Sequence, residues 1–587
     1  MWFYLGLGVY ALLWFAALEF NRNTLLGWVL AALLFVGYAL LLRRGMPRAR
    51  WFSKLGVFLL LTLALFAVFR FTEGPVRLHP AVEGKSPAVT ETVTVRQGQL
   101  TGVKTADGAV EVYAGIPYAA PPVGELRWRE PQEPAAWEGV LAADHFAPMA
   151  MQVVSNPLVS SLSQLIGYHD YRISLNDSFR EPVSEDALYL NIWKPAGEAE
   201  KLPVLVYVHG GSLQTGQPWY ADYSGEGLAR KGLIVVNFGY RLGVFGFLAD
   251  AELQAESPNG TTGNYGLLDQ IQALKWVQEN IAAFGGDPDN VTLAGESAGS
   301  ACVSALCVSP LARGLFVRAI GESSTVTAPE PAHSFRTLDE ALEAGRATKA
   351  RFGASTVDEL RQLPAEQLAA AMDVNHHLTV DGYALTKTPA EAYAAGEHNE
   401  SALLHGYNSE EGTPFILFDM ASLKDYEQKL RRLFGSAADE VLALYPASTD
   451  EEARQNWIEL YSVWYFSYGH YCWARQEAAL GVPAWEYYFT KQNGRLGPWH
   501  SGEEVYLYHN IPAASKLYDA ADRALSETFS DYIVNFARTG DPNGGDLPVW
   551  ETGTDGTRLM ELGETVAMTD ERYAELYAIL DKLFGLA

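Results

Sequence analysis

Cysteine is nearly absent: three residues in 587, at Cys302, Cys307 and Cys472. Three thiols build no disulfide framework, and their spacing matches no metal motif, so they read as buried free thiols. Basic side chains are also scarce, 43 against 70 acidic ones, for a formal charge of −27. Nucleic-acid binding needs a basic footprint, so that class of partner is excluded. The chain has no internal repeat and no low-complexity tract. Aromatic residues are plentiful instead (15 Trp, 30 Tyr, 26 Phe), which excludes a disordered chain and predicts a sizeable core.

The charge is unevenly placed. Residues 1–80 hold eight Lys/Arg against two acids, so this segment stands at +6 and the remainder carries −33. Three apolar runs fill it: Trp2–Leu18, Thr24–Leu42 and Leu55–Phe69. At about 1.5 Å per residue, nineteen residues reach ~28 Å, close to the ~30 Å hydrocarbon thickness. Trp51, Phe52 and Lys54 can lengthen the third run through an aromatic belt and a snorkelling stem. The sequence therefore predicts three transmembrane helices within residues 1–71, with the lipid bilayer as partner. The connection Arg43–Arg50 is strongly basic and is expected to stay cytoplasmic. That orientation makes a multi-pass cell-membrane protein with a cytoplasmic N-terminus and an extracytoplasmic body. Residues 72–92, rich in Pro, Gly, Glu and Thr, read as a tether.

From residue 93 to 587 short β-rich runs alternate with helical stretches, which predicts one large α/β domain around a mostly parallel sheet. Val204–Val208 reads as a buried strand ending at His209-Gly210-Gly211-Ser212. Val291–Ala294 is another, entering Gly295-Glu296-Ser297-Ala298-Gly299 with helical sequence beyond. G-x-S-x-G is weak evidence in a chain with 53 glycines. Between a strand and a helix it becomes a nucleophile elbow, where small neighbours let a strained serine stand exposed. The expected nucleophile is Ser297. Backbone N–H groups of Gly211, Ser212 and Ala298 are the expected oxyanion donors, each typically worth ~2.7–4 kcal/mol of barrier.

In this arrangement an acid and then a histidine follow the serine in chain order. Leu403–Tyr407 is strand-like and leads to Glu410 and Glu411; Ala484–Phe489 leads towards His500. Either glutamate can be the acid, and spacing alone does not separate His500 from His509. His209 reads as a loop-shaping residue, and His376 and His377 sit in a polar stretch.

These segments, taken together, resemble the type-B carboxylesterase/cholinesterase family. The resemblance runs from near Val93 past Asn543 and includes Ala114–Gly124, Ser184–Ile192, Tyr240–Phe247, Asn264–Gln270, Phe284–Pro288 and Ala537–Asn543. It implies the α/β-hydrolase fold and hydrolysis of small-molecule carboxylic esters without metal or organic cofactor. It also implies Ser297 as nucleophile, Glu411 as acid and His500, followed by an H-x-x-E run, as base. Arg127 with Glu185 and Arg241 with Asp269 match the family's structural salt bridges. Ala150 and Ala187 stand where the family often has a disulfide, and Ser212 replaces the third loop glycine. No Trp lies between Trp137 and Trp193, where cholinesterases bind a quaternary ammonium. Phe146, Tyr168 and Tyr171 are the candidate substitutes, and a choline ester is not a supported substrate. The sequence looks most like bacterial para-nitrobenzyl-type esterases. The alternative is a neuroligin-like adhesion or recognition ectodomain, against which the intact Ser297, Glu411 and His500 stand.

Overall fold

The computed structural model describes residues 2–84, 86–153, 179–197, 200–329, 335–492, 497–552 and 556–586. The chain divides into two compact units, Met1–His79 with the stretch ending at Pro182, and Pro80–Val153 with Val183–Ala587.

In the first unit three helices follow one another: α1 (Trp2–Phe20), α2 (Leu25–Leu40, prolonged by a wider turn over Leu41–Gly45) and α3 (Trp51–Phe71). Leu18, Ala31, Phe35, Tyr38, Leu61 and Leu65 form their shared core. Many other apolar side chains point outward, among them Leu33, Leu60 and Leu63. Among the described residues two stretches are long and apolar enough to cross a membrane, Leu25–Gly45 and Trp51–Phe71, each of 21 residues. The expectation of three is corrected to two by length: the apolar part of α1, Tyr4–Phe20, is shorter. The polar run Asn21-Arg22-Asn23 stops it.

Thr72 docks the end of α3 on the start of α2. Its carbonyl accepts the Thr24 N–H at 2.9 Å, and its hydroxyl accepts Asn23 Nδ2 at 2.9 Å. Gly27 is required there, because a Cβ would come within 2.2 Å of the Thr72 hydroxyl oxygen. Part of the stretch expected as a tether is paired with residues of the same unit. The Arg77 N–H donates to the Arg180 carbonyl at 3.1 Å, and the Arg180 guanidinium meets Glu73 at 2.9 Å.

In the second unit eleven strands form one sheet: β1 (Val103–Lys104), β2 (Val110–Pro117), β3 (Tyr189–Pro195), β4 (Leu202–Val208), β5 (Ile234–Phe238), β6 (Gly286–Glu296), β7 (Arg318–Glu322), β8 (Leu403–Asn408), β9 (Ala484–Phe489), β10 (Arg558–Leu562) and β11 (Val566–Asp570). Their spatial order is β11-β10-β9-β8-β7-β6-β4-β5-β3-β2-β1. Strands β4 to β10 pair in parallel, and antiparallel strands flank them on both sides.

The parallel strands are near-continuous apolar runs because both faces are covered. The helices that matter below are α4 (Tyr265–Asn280), α5 (Ala298–Val308), α6 (Asp450–Ser462), α7 (Tyr468–Leu480) and α8 (Ala520–Thr539). Val204, Val206 and Val208 of β4 pack with α4 and α5, through residues such as Ile271, Leu274 and Val303. Leu205 and Tyr207, pointing the other way, pack with Phe529, Ile533 and Phe536 of α8. This alternation fixes each strand's register and leaves the carboxyl ends of the parallel strands free to carry side chains for chemistry.

Candidate active site

β6 ends at Glu296 and α5 begins at Ala298, which leaves Ser297 alone on the turn. Its backbone sits at φ 53°, ψ −125°, a region that strains any residue with a Cβ. The surroundings over-determine it. The Ser297 N–H donates to the Glu322 carbonyl of β7 at 2.8 Å, and its carbonyl accepts the Ala301 N–H at 2.9 Å. A Cβ on Gly299 would lie 2.0 Å from the Val208 carbonyl oxygen, so only glycine lets α5 approach β4 this closely.

The loop after β4 crosses the same elbow. A Cβ on Gly210 would meet the Ser297 Cβ at 3.0 Å. Gly211, Ser212 and Leu213 follow with φ of 109°, 55° and 57°, three successive left-handed residues that fold the loop sharply back. His209 is buried beneath it, stacked on Tyr240 at 4.6 Å, with Nδ1 against the Gly210 carbonyl at 2.8 Å. Burial pushes its imidazole down to about 4, so it stays neutral and shapes the loop.

His500 follows β9 and has a defined contact on each side of its ring. Nδ1 lies 2.6 Å from Glu411 Oε2, and Nε2 lies 3.3 Å from Oε1 of Glu296, the residue before Ser297. Ser501 Oγ donates to that same Glu296 oxygen at 2.6 Å. The rings of Phe415 and Phe466 wall the imidazole at 5.1 and 4.9 Å. Burial lowers the His500 imidazole to about 4, opposed by the nearby Glu503. It is therefore neutral at pH 7, as a general base requires. Burial also raises the Glu411 carboxyl, against hydrogen bonds from Ser323 and the Asn408 N–H, and a positive charge on the adjoining His500 favours its charged form.

The alternatives that spacing left open separate in space. Glu410 turns towards Trp499, and its N–H donates to the Pro498 carbonyl at 3.1 Å. His509 stands against Ser526 at 3.2 Å and Glu527 at 3.4 Å. His376, read as part of a polar stretch, is buried against the Thr348 hydroxyl at 3.2 Å. Arg127 makes a two-point pair with Glu185 at 2.6 and 2.5 Å, and Arg241 does the same with Asp269 at 2.8 and 2.7 Å. All three cysteines are buried free thiols. Phe146 packs in the core between Trp193 and Trp219. Tyr168 and Tyr171 lie outside the described residues.

A second layer of polar groups behind the site was not foreseen. Ser323 Oγ donates to Glu503 Oε1 at 2.7 Å, Tyr487 OH donates to the same oxygen at 3.2 Å, and Asn408 Nδ2 holds the other oxygen. Asn408 Nδ2 also reaches the Trp499 carbonyl at 2.8 Å, while its N–H serves Glu411 Oε1 at 2.7 Å. These residues come from four separate segments. The only local signals are Glu503, three places after His500, and Glu296, next to Ser297.

A mostly parallel sheet with a strained serine at the end of a central strand, and a histidine-glutamate pair beside it, defines an α/β-hydrolase. Residues 89–579 match the carboxylesterase family. The fumonisin B1 esterase of Sphingopyxis macrogoltabida is 34% identical over 496 residues, covering 80% of this chain and 87% of its own. The para-nitrobenzyl esterase of Bacillus subtilis is 33% identical over 474 residues, covering 77% and 90%. A solved Geobacillus stearothermophilus carboxylesterase superposes with a TM-score of 0.70 at 31% identity, covering 84% of this chain and 100% of its own. The chain belongs to the carboxylesterase family and is a carboxylic ester hydrolase.

Proposed function

We propose that the protein is a membrane-anchored serine esterase working through an acyl-enzyme on Ser297. Ser297 Oγ attacks the ester carbonyl as His500 Nε2 takes its proton, and Glu411 holds the imidazolium that forms. The N–H groups of Gly211, Ser212 and Ala298 stabilise the oxyanion. The intermediate collapses with loss of the alcohol, which leaves with the proton from His500. Water, deprotonated by the same histidine, then attacks the acyl-enzyme, releasing the carboxylic acid and restoring Ser297. The observation that carries this reading is the His500 ring, with one nitrogen 2.6 Å from Glu411 and the other 3.3 Å from the residue preceding Ser297.

A fluorophosphonate tests the nucleophile. The full-length protein is expected to be labelled covalently, and Ser297→Ala to lose both labelling and p-nitrophenyl ester hydrolysis. Labelling retained in Ser297→Ala overturns the assignment. The relatives' names span a fumonisin ester, a nitrobenzyl ester and a medium-chain acyl-CoA, so an acyl-chain-length series on the same protein reads the pocket directly.

Residues 1–71 are the proposed anchor, crossing the bilayer through α2 and α3, with residues 72–92 as the link to the body and 93–587 as that body. The outward apolar faces of α2 and α3, where Leu33 is 62% and Leu60 65% exposed, support contact with lipid tails. The basic turn at Arg43, Arg44, Arg48 and Arg50, between α2 and α3, supports a cytoplasmic turn and an extracytoplasmic body. Protease added to intact cells is expected to digest the esterase body and spare the Arg43–Arg50 turn. The opposite pattern reverses the orientation.

A further inference from the structure

Glu400 and Glu477 are fully buried and face each other, Glu400 just ahead of β8 and Glu477 on α7. Neither has a Lys or Arg ion pair among the described residues. Glu400 Oε1 accepts the Tyr393 hydroxyl at 2.8 Å, and Oε2 accepts the Asn399 N–H at 3.2 Å. Glu477 Oε1 accepts Trp473 Nε1 at 3.1 Å, but its Oε2 is buried with no hydrogen-bond partner. Two facing carboxylates, one with an empty acceptor, are costly to bury unless something positive lies between them. His398 closes the group, and one ligand atom from each of the three residues lies within 4.8 Å of the others.

We propose that His398, Glu400 and Glu477 form a zinc-binding site, separate from the serine elbow. One imidazole and two carboxylates suit Zn²⁺, which binds such nitrogen and oxygen atoms at ~2.0–2.2 Å. Ligand atoms at opposite sides of such an ion stand ~4 Å apart at most, so the three residues close on it with shifts below about 1 Å. A divalent cation also neutralises the two carboxylates, and Glu477 Oε2 is the acceptor it would satisfy. His398 is partly exposed, its side chain at 22%, which gives an entry path and room for a water as fourth ligand. Its Nδ1 lies 3.8 Å from Glu400 Oε1 and 3.0 Å from the Glu400 carbonyl, so this is the ring nitrogen that would turn to the ion.

The surroundings favour a cation further. Asn399 Nδ2 holds the Leu306 and Ser309 carbonyls, each at 2.8 Å, at the C-terminal end of α5. Helix carbonyls make that end negative. Cys307, on the last turn of α5, adjoins Glu400 and Tyr393. The ion would thus brace the tail of the helix whose first turn carries the reactive serine, a structural role independent of the ester chemistry.

Full-length protein, stripped with a chelator and dialysed against Zn²⁺, Mg²⁺ or Ca²⁺, tests the site by metal analysis and thermal melting. The expected result is about one Zn²⁺ retained per chain with a raised Tm, and no such change with Mg²⁺ or Ca²⁺. His398→Ala and Glu477→Gln are each expected to lose the zinc and the Tm gain, whereas Ser297→Ala keeps both. If Glu477→Gln fails to fold, the partly exposed His398→Ala decides alone. Absence of retained zinc in the unaltered protein, equal zinc in His398→Ala, or a preference for Ca²⁺ overturns the proposal. A carboxyl pair that only shares a proton gives the first of these results.

Discussion

At the residue scale, the adjacent Glu410 and Glu411 divide labour by direction. Glu411 sends its carboxylate inward to His500, while Glu410 lies against Trp499. Glu411→Gln is therefore expected to lower kcat by roughly 10³–10⁴-fold, the range seen when a triad acid loses its charge. Glu410→Gln should leave kcat within a few-fold. Steady-state kinetics on a p-nitrophenyl ester checks both, and near-normal activity in Glu411→Gln reverses the assignment. Sequence alone could not separate the two, because adjacent residues leave a turn in directions that depend on its conformation. His500 and His509 were ambiguous because chain order alone does not say which of two later histidines reaches the serine. Ser297 was legible because its signal is local: glycines two places either side of it, a strand before and a helix after. The Glu503, Ser323 and Asn408 layer was not, since each member is an ordinary polar residue until tertiary packing joins them.

At the scale of elements, the loop after β4 keeps a feature that the resemblance marked as unusual. Ser212 occupies a glycine position with φ 55° and is exposed to solvent. A left-handed backbone costs a residue with a Cβ about 1–2 kcal/mol relative to its preferred conformation. Ser212→Gly is expected to stabilise the protein by up to ~1 kcal/mol, offset in part by the greater freedom of glycine in the unfolded chain. The peptide N–H proposed to serve the oxyanion is unchanged, so kcat should stay within a few-fold. Urea melts and kinetics check the pair, and a large loss of kcat would mean that the serine side chain itself acts in the site. The elements were legible where a short apolar run was well bounded, as in β4, β8 and β9. The apolar runs of the first unit were legible too, but composition alone did not fix how many of them are long enough to span.

At the scale of the whole molecule, the buried acids set a direction for stability with pH. Burial holds the folded-state carboxyl of Glu503 at about 7 and raises that of Glu411 too, above the ordinary value of 4.5. Each contributes stability that is fully present below 4.5 and is lost as pH rises through its folded value. The buried imidazoles of His209, His500, His376 and His405, held at about 3 to 4, have the opposite sign. Their contribution is present above 6.5 and is lost as pH falls. Between pH 6.5 and 9 the raised carboxyls lose their contribution, and the buried thiols of Cys302 and Cys472, held at about 12, begin to lose theirs, so Tm is expected to fall across that interval. Glu503→Gln should fall less steeply. Differential scanning calorimetry at pH 6.5 and 9 checks this, and a rising Tm contradicts it. The acidic body, at −33 outside residues 1–80, adds self-repulsion that salt should relieve.

The elbow also gives the protein a clock for its own assembly. Ser297 is held in its strained conformation by the Glu322 carbonyl on one flank, while Gly299 rests on the Val208 carbonyl on the other. Those contacts come from strands far apart in the chain, and parallel pairing over such distances is slow to form. A partly folded chain with β6 paired to β4 alone has no reason to keep the serine strained, and should be unreactive. The appearance of fluorophosphonate reactivity during refolding therefore marks the moment at which β4, β6 and β7 lock together, which makes an inhibitor a probe of folding order.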